Sequence, residues 1–543
     1  MWRSNGVNAA YLSLAVFALF FIGYRFYARL VERQLDIDPD RPTPAHTEYD
    51  GVDYVPARHW LVLFGHHFSS IAGAAPIIGP ILALSIWGWG PTILWILLGV
   101  IFIGGVHDFC SVMISVKKKG VSIADVTEET ISKNSRYVFL WFVWLTLILI
   151  ISVFVYICAK TLTVRPEIVV PSLGLIPIAV AAGFFMYNLK FNQVGVGFVG
   201  ILCLAGLIFL GRVFPVAIGA NAIAKWSIVL LAYSFMASVT PVQVLLQPRD
   251  FLSAYLLFFG LLFGYIGIFM TQPNIEFPIF LGWSKEGALP MWPVLFVTVA
   301  CGAISGFHAL VASGTTSKQL SNESWGKRIG YGGMVAEGLV AALALMVVAC
   351  TFKDAGSLSD ILDKGAGPIG AFGAGYGNIT KGLLGTFGGL FAIIILNAFI
   401  LTTLDTATRI GRYLTQELFN IKNRYAATMI VVGLSGWLGL SGEWNQIWPI
   451  FGSANQLIAA LTLIVITSWF LSKSKLIRYT LIPAIFMLAT TMGALVFKIK
   501  EYLKDGQNIL LFIAAALFLS AIFVLYEALR HVKRGYGLRS KAT

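Results

Sequence analysis

The sequence predicts an all-α polytopic membrane protein of about fifteen transmembrane helices, and three observations predict it. Only 12% of the 543 residues are charged and mean hydropathy is +0.80, against about 25% charged residues in ordinary soluble domains. Apolar segments of roughly 17–25 residues, the length a crossing requires, follow one another along the whole chain. Most of the 39 Lys and Arg lie in alternate connecting segments, among them Lys117, Lys118, Lys119, Arg409, Arg412 and the tail Arg530–Lys541. That bias predicts an outside amino terminus and a cytoplasmic carboxyl terminus. The net charge of +13 thus follows topology. No basic domain gathers it, which argues against a nucleic-acid partner.

The spans are read at residues 7–29, 60–87, 91–116, 137–159, 173–189, 194–211, 226–246, 251–271, 292–316, 332–352, 382–404, 425–440, 447–471, 478–497 and 508–528. The first follows Arg3 without a small-residue cleavage site, so a retained helix is expected. Residues 30–58 carry Pro39, Pro42, Pro44 and Pro56 with mixed charge, which predicts an irregular inner cap. The second span, LVLFGHHFSSIAGAAPIIGPILAL, clusters Gly73, Pro76, Gly79 and Pro80. Pro lacks the N–H a helix interior needs, so a break is predicted here. A break in lipid survives only where protein or a cavity satisfies the freed backbone, and transporters build binding sites at such breaks. A proline kink between packed helices is the competing reading.

The seventh span, SFMASVTPVQVLLQP, predicts a second break at Ser238, Thr240 and Pro241. Two breaks of opposite direction, five spans apart, predict an inverted five-plus-five repeat. Residues 1–58 are then the first helix and its cytoplasmic loop. Residues 59–213 are repeat one, 214–424 repeat two, and 425–543 peripheral helices. The Gly-rich segment 353–381 is the longest outside loop. Its Gly365–Gly370 stretch matches G-x-G-x-x-G but follows no strand, so the dinucleotide reading fails.

Ionisable residues inside spans are costly and mark functional candidates. They are His66, His67, His107, Asp108, His308, Glu337 and Asp405. All fall in the inner halves of their spans, which predicts one polar layer serving as proton network or inner gate. His66, His67, His107, Asp108, Glu337 and Asp405 are assigned to proton coupling. Structural alternatives stand beside them. The histidines can bond freed carbonyls, His107–Asp108 can cap a helix end, Glu337 can reach the interface, and Asp405 can pair with Arg409 at i+4. Ser69, Ser70, Gly73, Ala74, Ser238, Thr240 and Gln243 are assigned to substrate at the two breaks. With no arginine read deep in a span, an anion would rely on exposed N–H groups and half-helix ends. Sodium bound through Ser313 and Thr316 is the nearest variant. Asn397, Thr402, Thr403, Asn455 and Gln456 read as interhelical hydrogen-bonding groups. No metal site and no cofactor beyond the coupling ion are expected. Adjacent helical residues such as His66 and His67 diverge by about 100°. Cys110, Cys158, Cys203, Cys301 and Cys350 lack ligand spacing and read as packing residues.

The blocks GHHFSSIAGAAPIIGP, WGWGP, GGVHDF, CGAISGFHALVASGTTSKQL, IGYGGMVAEG, LTTLDTATRIGRY and IWPIFGSANQL occur in order between about residues 58 and 470. Together they resemble the carbon starvation protein A (CstA) family. The resemblance implies a bacterial inner-membrane transporter induced by carbon limitation, with a LeuT-like (APC-type) five-plus-five fold. It also implies uptake of peptides, or of pyruvate with protons. The expected function is proton-coupled secondary uptake of short peptides or small carboxylates such as pyruvate, without enzymatic chemistry. The alternatives from other classes are a membrane-embedded metalloenzyme using the His/Asp/Glu set and a nutrient sensor. The sensor reading lacks any soluble output domain.

Overall fold

The computed structural model describes residues 6–284, 290–364, 367–440 and 444–539. Among these, the helices long and apolar enough to cross a membrane are Ala9–Glu32, Trp60–Trp87, Trp89–Lys117, Lys133–Val164, Pro166–Asn188, Val194–Val213, Ala222–Val239, Leu246–Thr271, Met291–Thr316, Glu323–Ala349, Lys381–Leu418, Ile450–Ser472, Arg478–Asp505 and Leu510–Arg530. The shorter apolar helix Arg424–Leu440 stands twelfth in chain order. Each overlaps its predicted span, because backbone without water must pair with itself and helices do so locally. The β-structure among the described residues is a two-residue ribbon, Val7–Asn8 against Asn274–Ile275. Segment 353–381 is helical as well, at Ala355–Lys364 and Gly367–Ile379. Arg3, Gly365, Ala366 and Lys541 lie outside the described residues.

Burial separates core from rim. In the second, fourth, ninth and tenth spans 83% of the apolar stretch is buried, and in the thirteenth 89%. In the first, sixth and fifteenth the figures are 33%, 22% and 28%. The thirteenth span, expected at the periphery, therefore belongs to the core, while the fifth and sixth do not.

The second span is interrupted as predicted. Its first helix ends at Ala72, Gly73 takes φ 44 and ψ −155, and a new helix runs Ala75–Trp87. That positive φ suits glycine. Pro76 falls in the new helix's first turn, where its missing N–H costs nothing. The second interruption is not where the sequence reading placed it. The seventh span is one continuous helix to Val239, and Thr240 is extended at φ −78 and ψ 142. Pro241 disfavours the helical conformation at Thr240, and 18 residues have already covered about 27 Å. Pro241 therefore ends the helix instead of breaking it. The ninth span breaks instead. Met291–Val299 gives way to a single 3₁₀ turn at Ala300–Gly302, Ala300 sits at φ 42, and Ser305 is extended before helix resumes at Gly306. No proline marks this break; the small residues of CGAISG allow it.

The two breaks pack on each other. A Cβ on Gly79 would stand 2.5 Å from the Thr298 carbonyl oxygen and 2.7 Å from that of Val299. Gly79→Ala is therefore expected to cost about 1–3 kcal/mol by overpacking, read as a lower unfolding midpoint in detergent. An unchanged midpoint would mean that the breaks are not held in register at this point.

The cap formed by residues 30–58 is tied down by charge. Buried Glu323 accepts from Arg41 at 3.1 Å and from the Asp38 backbone N–H at 3.0 Å, with Lys117 at 3.6 Å.

Candidate functional site

Between the two breaks lies a small cavity of about 10 Å³, room for roughly one water. The second span lines it with Ile71, Ala72, Gly73 and Ala75, and the fourth with Ile150 and Phe154. Cys301 and Phe307 of the ninth, Thr403 of the eleventh and Phe451 of the thirteenth complete it. Phe154 and Phe451 meet edge to face at 5.9 Å. Thr403 donates to the Ser70 carbonyl at 3.1 Å, and the Ser70 and Thr406 hydroxyls stand 3.1 Å apart. The half-helix starting at Ala75 has no side-chain cap; Pro76 brings no N–H and the Ile77 N–H bonds the Ala74 carbonyl at 3.1 Å, which leaves the Ala75 N–H at the interruption. Of the second-span residues assigned to substrate, Gly73 lines the cavity and Ala74 does not. Ser70 ties the break to the eleventh span, and Ser69 donates to the Asp250 carbonyl at 3.1 Å.

On the amino-terminal side of this break, His66 Nδ1 lies 2.6 Å from Asp250 Oδ2. His66 Nε2 meets Thr315 Oγ1 at 3.1 Å and Gln319 Nε2 at 3.2 Å. Gln247 donates to Gln319 at 2.6 Å and accepts from the Tyr187 hydroxyl. Arg249, next to Asp250, donates to Asp405 and to the Tyr233 hydroxyl, and to Thr402 Oγ1 at 2.6 Å. Tyr233 also donates to Asp405 at 2.6 Å. Arg249 and Asp250 are buried. Both were missing from the sequence reading, which started the eighth span at residue 251 because its charged first turn lowers hydropathy. The helix starts at Leu246. A buried arginine does lie within a span, in its first turn, and Arg249, not Arg409, is the partner of Asp405.

A separately bonded set surrounds Asp108. His107 Nδ1 and His308 Nδ1 each lie 2.8 Å from one of its oxygens, and His308 Nε2 lies 3.0 Å from Glu337 Oε2. His67 Nδ1 bonds Thr316 Oγ1 at 2.9 Å. Hydrogen bonding divides the expected polar layer into separate sets, and Glu337 is fully buried.

Ser238, Thr240 and Gln243 are not brought to the cavity. Ser238 faces Thr428 at 3.5 Å, and the carbonyls of Ala237 and Thr240 accept from Arg409. Gln243 lies in the turn before Leu246. Arg409 is roughly 9 Å along its helix from the cavity residue Thr403. The cause is the end of the seventh helix at Val239. Nor do Ser313 and Thr316 converge on an ion. Ser313 donates to the Ala309 carbonyl at 2.7 Å and accepts from the Ile123 N–H at 3.2 Å, while Thr316 serves His67.

Beyond the membrane-spanning segments, Asp53 bonds Arg409 at 2.8 Å and Arg412 at 3.3 Å. Burial pushes the Asp53 carboxyl up, but the guanidinium groups of Arg409 and then Arg412 outweigh it and hold its pKa below the usual value. A depressed carboxylate stabilises the fold above its unfolded pKa, and this is lost as pH falls through the folded value. Asp53→Asn is expected to open the 30–58 cap to protease at neutral pH, as strong acid does in the parent. Equal nicking of parent and variant at neutral pH would remove the clamp.

The description "Carbon starvation protein CstA" belongs to a family model that matches residues 8–361 and 353–494. "Peptide transporter CstA" of Campylobacter jejuni is 33% identical, covering 93% of this chain and 82% of that protein. "Pyruvate/proton symporter BtsT" of Escherichia coli is 30% identical over 92% and 82%. "Peptide transporter CstA" of Bacillus subtilis is 32% identical over 89% of each. A crystal structure of the Eremococcus coleocola manganese transporter aligns at TM-score 0.49 and 12% identity, covering 90% of this chain and 99% of that one.

Proposed function

This multi-pass membrane protein belongs to the carbon starvation protein CstA family, and on that premise we propose that it imports short peptides or small carboxylates such as pyruvate by proton-coupled secondary transport. The inner membrane of a bacterium under carbon limitation is its place in this reading, with the amino terminus outside and the carboxyl terminus cytoplasmic. One observation carries it: two interrupted helices meet around a buried cavity in the core. Interrupted helices offer bare peptide groups to a solute, and moving one half of such a fold against the other gives alternating access.

The second and ninth spans are seven crossings apart and so run in opposite directions. Spans two, three, four, seven and eight then form one repeat and spans nine to thirteen its inverted partner, with the fifth and sixth as an inserted hairpin. This replaces the divisions at residues 213 and 424.

As closed here the cavity holds about one water; a substrate enters once Phe154, Phe307 and Phe451 part, with its polar end at Ala75 and Thr403 and its apolar part against those rings. Coupling rests on His66 and Asp250. Protonating the carboxylate neutralises the charge that holds the second span to the eighth and ninth, and the inner side can then part. Arg249–Asp405 pins the eighth span to the eleventh. His67, His107, Asp108 and Glu337 stand outside this path.

The test is uptake of labelled pyruvate against a labelled dipeptide in sodium-free proteoliposomes. One of the two is expected to accumulate when the outside is made acid, and to equilibrate on adding a protonophore. Accumulation of neither, or only with sodium, would overturn the reading.

A further inference from the structure

Where the ninth span is interrupted, three donor side chains to which the proposed transport path assigns no coupling role converge. They are Cys301 on the 3₁₀ turn, His308 on the helix that follows, and Glu337 on the tenth span. Their ligand atoms all lie within 4.8 Å of one another, and all three residues are buried. His308 Nε2 and Glu337 Oε2 form an ion pair at 3.0 Å, and Glu337 Oε1 has no hydrogen-bond partner. Buried polar atoms are nearly always paired, so an open carboxylate oxygen beside an imidazole and a thiol inside a membrane protein is costly.

Their surroundings suit metal ligation. Asp108 Oδ2 holds His308 Nδ1 at 2.8 Å. This is the carboxylate–histidine arrangement that keeps the proton on one ring nitrogen and frees the other as a ligand. Asn455 Nδ2 donates to Cys301 Sγ at 3.3 Å, which favours the thiolate. The donors of one tetrahedral zinc stand roughly 3–4 Å apart, given bonds of about 2.0–2.3 Å. Small side-chain adjustments reach that spacing.

We propose that Cys301, His308 and Glu337 bind a divalent transition ion of the zinc type, with Asp108 orienting His308. Thiolate with imidazole selects such an ion over magnesium or calcium. Binding displaces the thiol proton to solvent and neutralises the thiolate and Glu337. Three protein donors leave one coordination position. Cys301 also lines the cavity, so the ion stands beside it and braces the ninth span to the tenth at its break. The site is independent of which solute crosses.

The experiment is elemental analysis of the full-length protein in detergent after zinc loading and desalting, for the parent, Cys301→Ser and Glu337→Gln. About one zinc per chain in the parent, lost in both variants while they elute as single species, is the expected result. Parent protein without zinc, or equal zinc in all three, means an adventitious ion only and overturns the site. Because a variant can fail to fold, cobalt is also loaded into the parent. Thiolate-to-cobalt charge transfer in the near ultraviolet is expected, and its absence likewise overturns the assignment.

Discussion

Asp250→Asn is expected to abolish concentrative uptake while leaving exchange across the membrane intact. One proton moving down 100 mV supplies about 2.3 kcal/mol, enough to concentrate a neutral solute roughly 50-fold. Asparagine keeps the shape of the Asp250 side chain and a group that can bond His66, whose Nδ1 lies 2.6 Å away, but it cannot cycle a proton. The accumulation ratio should therefore fall from tens to about one, with counterflow of preloaded substrate nearly unchanged. Normal accumulation by this variant would remove Asp250 from coupling. Loss of both activities would assign the residue to binding or folding instead.

Arg249→Met should be the most destabilising single change in the polar core. It leaves Asp405 buried with the Tyr233 hydroxyl as its remaining hydrogen-bond donor among the described residues. Breaking a buried ion pair from one side costs about 3–5 kcal/mol, whereas replacing both partners by apolar groups is often near neutral. The double variant Arg249→Met/Asp405→Leu should thus be more stable than Arg249→Met alone, as read from chemical unfolding in detergent. If the double variant is the weaker of the two, the pair does not act as a unit. A stable Arg249→Met/Asp405→Leu protein would also isolate the eighth-to-eleventh pin from the His66–Asp250 bridge, since it unlinks the former and keeps the latter. Its transport would then report whether the pin matters for gating.

The legible part of the site was the part written in local chemistry. Gly73 with Pro76 announces an interruption, because glycine takes a backbone that other residues resist and proline cannot donate. His66 and Asp405 stand out as isolated ionisable groups in apolar runs. Asp250 and Arg249 escaped because they sit in the first turn of a helix, where hydropathy assigns charge to a loop. The Ala300–Ser305 interruption escaped because small residues permit a break without demanding one. The only forward hint was Ser305 before Gly306, a residue type favoured at helix starts. Pro241 misled in the opposite sense, since the same residue that breaks a helix also ends one.

Hydropathy, with the placement of Gly73 and Pro76, was enough for the apolar spans, their order and the first interruption. All of these depend on free energies of single residues and short windows against water or lipid. Which interruption faces the first, which carboxylate meets which base, and which spans reach the core depend on contacts between different helices. His66 with Asp250, Arg249 with Asp405 and His308 with Glu337 come together only through packing of the helices. No local preference encodes such a meeting.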